Sequence, residues 1–170
     1  MKPLDITLSK QQAIQLNHEI SKIRRKVRYL ERFDCEMVYR LGSKDNTKIS
    51  KVRIKEDDRP QKRKDRLTGD LVDKANDIIT YAQNGKILVL AKSGGVPLFD
   101  GISPKLKMNK NDRGYLIPRN TPVPKGIIIA KDIQVDRYGQ FHYALQPAYD
   151  MTLKEFQKKL GSLKKYMRPV

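Results

Sequence analysis

SGGVPLFDG (residues 93–101), GYLIP (114–118), TPVPKGIIIAKD (121–132) and HYALQPAYDM (142–151) follow one another in the second half of the chain. Each is a short apolar or alternating run bounded by glycine or proline, the pattern of a short strand ending in a fixed turn. Pro97, Pro118, Pro122 and Pro124 set those turns. Gly94-Gly95 follows a continuous apolar run, KILVLAK (86–92), which reads as a buried strand. Glycine lacks a Cβ, so this pair lets a ligand approach the main chain closely. The order strand, glycine loop, strands predicts a compact sheet whose rigid turns hold something in place.

Working outward, strands are expected near 115–117, 127–131 and 140–146, with DRYGQ (136–140) as a hairpin-like turn between the last two. Thr152 and Glu155 have capping-box spacing and open a final helix to about Leu163. Upstream, CEMVYRL (35–41) alternates up to Gly42 and reads as a strand, and KISKVRI (48–54) alternates briefly enough to be another. RPQKRKDR (59–66) reads as an exposed basic loop. Residues 69–83 place Leu71, Val72, Ala75, Ile78, Ile79 and Ala82 on one helical face, with Thr68 as cap and Asn84-Gly85 as stop. Residues 9–33 give the most regular helical pattern. Ala13, Leu16, Ile20, Ile23, Val27 and Leu30 form one stripe, Ser9 and Gln12 supply a capping box, and the other faces carry Lys22, Arg24, Arg25, Lys26, Arg28 and Arg32. The reading is α+β, helices first and then a mainly antiparallel sheet, in a single domain spanning 1–170. Within it lie a basic N-terminal helix (1–34), a core (35–163) and a basic tail (164–170) expected to be partly mobile.

Composition narrows the function classes. The 170 residues are 38% hydrophobic and 32% charged, so a modest core sits under a heavily charged surface. Thirty-six Lys and Arg against 19 Asp and Glu give a net charge of +17, a field that attracts polyanions. No run of ~18 apolar residues offers a membrane span, and MKPLDITLSK lacks the apolar core of a signal peptide, so action in the cytosol is expected. One cysteine, Cys35, excludes an internal disulfide, and with only two histidines no zinc site is expected.

Hydrolytic chemistry fits poorly. His18 falls on a predicted helix, no strained serine turn is present, no Walker loop follows either glycine pair, and Cys35 lies within an apolar strand. What remains is a glycine loop after a buried strand, an arginine at the end of another, and aromatics with a histidine on a third. That set suits a nucleotide: arginine grips phosphate in a fork, glycine exposes backbone N–H groups, and a ring stacks on a base.

These residues carry a resemblance. The run from SGGVPLFDG through YLIP, TPVPKGIIIAKD and HYALQPAYDMTLKEFQKKL resembles the Tse2 family of bacterial toxins over roughly residues 90–160, with a weaker echo at MVYRL. The resemblance implies a small split antiparallel sheet of ADP-ribosyltransferase type with flanking helices. It implies a toxin that cleaves NAD, its substrate, at the nicotinamide–ribose bond and transfers ADP-ribose, using no metal. Carried over by position, Arg40, Ser93, Asp100, His142 and Gln146 are the candidate catalytic residues. Tyr39, Arg40, Gly94, Gly95, Phe99 and Tyr143 are the candidate NAD-binding residues. Val96 and Pro97 stand where the family often has Thr-Ser, and no strand glutamate of the arginine-specific transferases is evident. The charge adds an expectation of its own: a nucleic-acid acceptor, RNA before DNA, held by Arg24, Arg25, Arg28, Lys62, Arg63 and Lys64, and an acidic antitoxin or immunity protein that covers the basic face. The other reading is a non-enzymatic nucleic-acid-binding or interaction module that keeps the fold.

Overall fold

The computed structural model describes residues 8–22, 24, 26–33, 37–54, 62–64, 71–73, 77–101, 110–136 and 139–170. In chain order the elements are α1 (Lys10–Ser21), β1 (Val27–Leu30), β2 (Met37–Ser43), β3 (Lys62–Lys64), β4 (Leu71–Asp73), β5 (Thr80–Gln83), β6 (Lys86–Val89), β7 (Val96–Phe99), β8 (Asp112–Pro118), β9 (Ile127–Asp132), β10 (His142–Pro147), β11 (Met151–Thr152), α2 (Leu153–Gly161), a 3₁₀ turn (Lys164–Tyr166) and β12 (Arg168–Pro169).

The strands form a seven-stranded sheet ordered β1-β9-β10-β7-β2-β8-β12, a three-stranded sheet ordered β11-β6-β5, and the pair β3-β4. Every strand pair is antiparallel. Mostly antiparallel sheets with two helices among the described residues agree with the α+β, split-sheet expectation. The large sheet is nearly divided in its middle. β2 and β8 share seven register pairs, Met37↔Pro118 to Ser43↔Asp112, whereas β2 and β7 share one, Tyr39↔Phe99. The core lies against one face of this sheet, where Val96, Leu98, Ile117, Ile129, Tyr143 and Leu145 are 0% exposed and meet Phe156 and Leu160 of α2. Period-two alternation leaves the partner residues of β7, β9 and β10 on the opposite face.

Five expectations are corrected. The helix read over 9–33 ends at Ser21, and Val27–Leu30 is instead an edge strand paired with β9. Beyond Ser21 the run Lys22, Arg24, Arg25, Lys26 and Arg28 would stack like charges at i,i+4 on a helix, while a strand ladder spreads them apart. The expected apolar seam is likewise thin: Ala13 is buried, but Leu16 is 40% exposed. The helix read over 69–83 is replaced by β4 and β5. Asn84 and Gly85 both have positive φ (52° and 72°), so they form the two-residue turn of the β5–β6 hairpin rather than a helix stop. Residues 48–54 form a turn at 49–50 and irregular chain, not a strand; Ile49 and Val52, three apart, are both buried. Lys62–Lys64 is a strand, not part of a loop, and the C-terminal tail is anchored by the β12–β8 pair. Arg25, Cys35 and the remainder of the 59–66 stretch fall outside the described residues.

Other expectations hold. β2, β6, β8, β9, β10 and α2 lie where the sequence placed strands and a final helix. Ser9 and Gln12 make both bonds of a capping box, and the Thr152 hydroxyl accepts from the Glu155 N–H.

Candidate active site

A cleft of about 320 Å³ opens on the sheet face opposite the core. Its floor is the outward row of three strands: His142, Ala144 and Gln146 of β10, Ala130 and Asp132 of β9, and Pro97 of β7. Tyr143 and Leu145, the alternate residues of β10, are 0% exposed and belong to the core. Gly94-Gly95, the Arg53–Asp77 pair, Val27 and Arg24 complete the lining, with the Arg24 guanidinium reaching the start of the glycine loop.

The glycine loop is wedged rather than open. A Cβ at Gly95 would lie 2.0 Å from the Leu145 carbonyl oxygen, and one at Gly94, whose φ is +142°, would lie 2.1 Å from that of Asp77. Glycine is needed here because two other backbone segments come this close, and the loop still borders the cleft. Ser93 locks the same turn from behind. Its hydroxyl, 1% exposed, accepts from the Ile79 N–H at 3.1 Å and donates to the Leu90 carbonyl at 2.8 Å. Both hydroxyl functions are engaged in the fold.

Arg53 and Asp77 form a closed unit. Arg53 donates from Nε (3.1 Å) and Nη2 (2.9 Å) to Asp77 Oδ1, and its own N–H donates to Oδ2 (2.8 Å). The Asp77 side chain is 4% exposed and that of Arg53 38%, so the guanidinium reaches the cleft while its charge is balanced behind it. Arg40 sits deeper. It is 9% exposed and donates from Nη1 to the Pro97 carbonyl (3.2 Å) and from Nη2 to the Lys48 carbonyl (2.9 Å), bridging β2 and β7 where their ladder stops. Its Nε is buried with no hydrogen-bond partner among the described residues. Burial first, then the offsetting effects of Asp77 and Arg53, brings its pKa down to about 10. Arg40 therefore braces the cleft from below and is not among the residues that line it.

At the other end Asp132 Oδ2 lies 3.9 Å from His142 Nδ1, an ion-pair distance once the imidazole is protonated. The Phe99 ring meets His142 edge-to-face, 5.6 Å between centroids at 77°. Register puts Tyr39, Phe99 and His142 in one row across β2, β7 and β10. Asp100 Oδ1 accepts from the Phe141 N–H (3.1 Å) and fixes the end of the β7–β10 ladder. Gln146 is 6% exposed and lines the cleft, and its Oε1 has no hydrogen-bond partner among the described residues.

Of the residues singled out from the sequence, Gly94, Gly95, His142 and Gln146 come together around this space, with Phe99 against His142. Ser93, Arg40 and Asp100 support its walls, and Tyr143 faces the core. Arg24, expected on a nucleic-acid surface, lines the cleft instead. Arg53, Asp77 and Asp132 were not foreseen. Asp77 lay within the misread helix, and Asp132 closes the run IIIAKD, where alternation from the buried Ile127 and Ile129 would have assigned it a face had strand pairing been known.

Comparison of the chain with protein families matches the Tse2 ADP-ribosyltransferase toxin model over residues 37–167. The chain belongs to this family. The match covers most of the chain and agrees with the resemblance carried by the strands around the glycine loop. It starts after α1 and β1, so Arg24 and Val27 reach the cleft from outside the matched region. No curated protein matches the chain. A member of this family is an ADP-ribosylating toxin, a transferase that uses NAD.

Proposed function

We propose that the protein breaks the nicotinamide–ribose bond of NAD in this cleft and passes ADP-ribose to a nucleic acid, RNA before DNA. The observation that carries the reading is the pairing, in one cleft of a family member, of a carboxylate–imidazole couple (Asp132–His142) with a buried acceptor lacking a partner (Gln146 Oε1). An orphaned buried acceptor costs free energy unless a ligand donor meets it, and the ribose hydroxyls and the carboxamide of NAD are such donors. The residues present therefore fit NAD.

In the reaction the C1′–N1 bond of the nicotinamide riboside breaks, and its electron pair stays on the nitrogen, which leaves as neutral nicotinamide. An oxygen or nitrogen lone pair of the acceptor forms the new bond to C1′, and the acceptor's proton passes to a base. Asp132 supplies negative charge that stabilises the cationic ribose and, with His142, takes up that proton. Phe99 holds the imidazole edge-on, and the loop braced by Ser93 and Arg40 keeps the glycines in place. Asp132 thus occupies the role that the missing strand glutamate left open.

The acceptor reading rests on charge. The net charge is +17, and Lys26 and Arg32, both exposed, lie at either end of β1, whose Val27 borders the cleft. NAD is a small dianion and does not call for such a field, whereas each phosphate neutralised on a polyanion releases counterions and strengthens binding. The same field suits an acidic antitoxin or immunity partner. The test is incubation with adenylate-labelled NAD and cell extract, followed by nuclease or protease. Label removed by ribonuclease supports the reading; label that resists nuclease and yields to protease refutes the nucleic-acid acceptor.

A further inference from the structure

The segment that precedes the family-matched region does not merely decorate the fold. Its backbone is fixed on both sides of Arg24. The Arg24 N–H donates to the Ile20 carbonyl at the end of α1 (3.0 Å), and the Ile133 N–H donates to the Lys26 carbonyl (3.1 Å), extending the β1–β9 ladder, in which Val27 is opposite Asp132. Between these points the side chain of Arg24 turns across the cleft wall, and Nη2 donates to the Ser93 carbonyl at 2.7 Å, at the start of the glycine loop. Nη1 makes only a long contact, 3.4 Å, to Asn17 Oδ1. A guanidinium carries five N–H groups, so among the described residues most of its donors are uncommitted.

Charge separates Arg24 from the other arginines here. Arg53 is matched by Asp77, and Arg40 is directed into the interior. Among the described residues Arg24 has no carboxylate in ion-pair contact, although it lies beside the loop where main-chain groups reach the cleft. Partial burial lowers its pKa, and Tyr29 offsets part of that effect. Along β10, Gln146 and His142 are four residues apart, about 13 Å. That length separates a group bound at the glycine-loop end from chemistry at the Asp132–His142 end.

We infer that Arg24 is the anchor for the diphosphate of NAD, contributed by an N-terminal segment outside the family core. The inference rests on the proposed use of NAD in this cleft. Arg24 grips the anion with its free N–H groups while its bond to the Ser93 carbonyl keeps the glycine loop closed against it, and the nicotinamide riboside end extends toward Asp132 and His142. The segment 8–33 is then part of the enzyme's substrate site as well as its basic surface.

The experiment compares two inhibitors of NAD turnover in the wild type and in Arg24→Gln. ADP-ribose contains the diphosphate; nicotinamide does not. Loss of a charge-assisted contact predicts that Arg24→Gln weakens ADP-ribose inhibition by about tenfold to a hundredfold and raises KM for NAD, with nicotinamide inhibition and the melting temperature unchanged. In the wild type, added salt weakens ADP-ribose inhibition; in Arg24→Gln it has little effect. Equal weakening of both inhibitors means that Arg24 only holds the loop, and overturns the inference. Unchanged ADP-ribose inhibition overturns it too, while leaving NAD as the substrate. A wild-type protein that neither turns over NAD nor binds ADP-ribose overturns the function reading and this inference together.

Discussion

Ser93→Ala separates a structural hydroxyl from a catalytic one. Ser93 is 1% exposed, and its Oγ both accepts from the Ile79 N–H and donates to the Leu90 carbonyl. Alanine removes both bonds. The Leu90 carbonyl keeps a second donor, the Ser93 N–H at 3.3 Å, so its loss is partial. The Ile79 N–H, in a residue only 8% exposed, loses this acceptor. An unsatisfied buried donor costs about 1–3 kcal/mol, and the weakened carbonyl adds up to about 1 kcal/mol. The expected destabilisation is therefore about 1–4 kcal/mol. For a chain of this length that lowers the melting temperature by roughly 2–16 °C. Urea or thermal unfolding of the purified variant measures it. NAD turnover below the transition should stay within a few-fold of the wild type, because the hydroxyl does not face the cleft. A variant as stable as the wild type would show that these bonds are absent. A stably folded variant with turnover lowered a hundredfold or more would return Ser93 to the chemistry and refute its placement as a brace.

Gly94→Ala, at φ +142° with its Cβ 2.1 Å from the Asp77 carbonyl oxygen, should lose roughly 2–4 kcal/mol, so that its melt falls; a native-like melt would refute the wedged loop. Valine at this position should destabilise still more. Asp132→Asn should lower kcat by about a hundredfold with little change in KM or melting temperature; equal loss in kcat/KM through KM alone would assign Asp132 to binding. Burial and the bond to Asp150 raise the Tyr81 pKa to about 12, above its unfolded value of about 10. The folded state then holds the proton more tightly, so the contribution is complete below pH ~10 and is lost as pH rises towards 12. Denaturation midpoints should fall over that window in the wild type and much less in Tyr81→Phe; parallel curves would contradict the bond.

Strands and turns near the glycine loop were legible because their signals are local: alternation, and prolines that punctuate it. β8, β9, β10 and α2 needed nothing else. The first half was harder for a physical reason. Asn84-Gly85 ends a helix or turns a hairpin with the same two residues, and only the pairing partner KILV decides between them. Val27–Leu30 continues a helical stripe in sequence, yet gains an edge ladder on β9 that no local pattern reveals. The site followed the same division. His142, Gln146 and the glycines stand on the legible strands. Arg24, Arg53 and Asp77 arrive from misread segments, and their meeting at the cleft is a matter of topology. Arg40 shows the converse: its motif position marked it, but burial between β2 and β7 makes it a strut.

The most direct measurement of the central claim is nicotinamide release. Purified protein is mixed with NAD in the presence of total cellular nucleic acid, and free nicotinamide is quantified over time by chromatography, beside Asp132→Asn checked for a native melt. The predicted result is saturable release by the wild type, stimulated by nucleic acid and reduced about a hundredfold in the variant. Folded wild-type protein that releases no nicotinamide, with nucleic acid or with whole extract, would contradict the account.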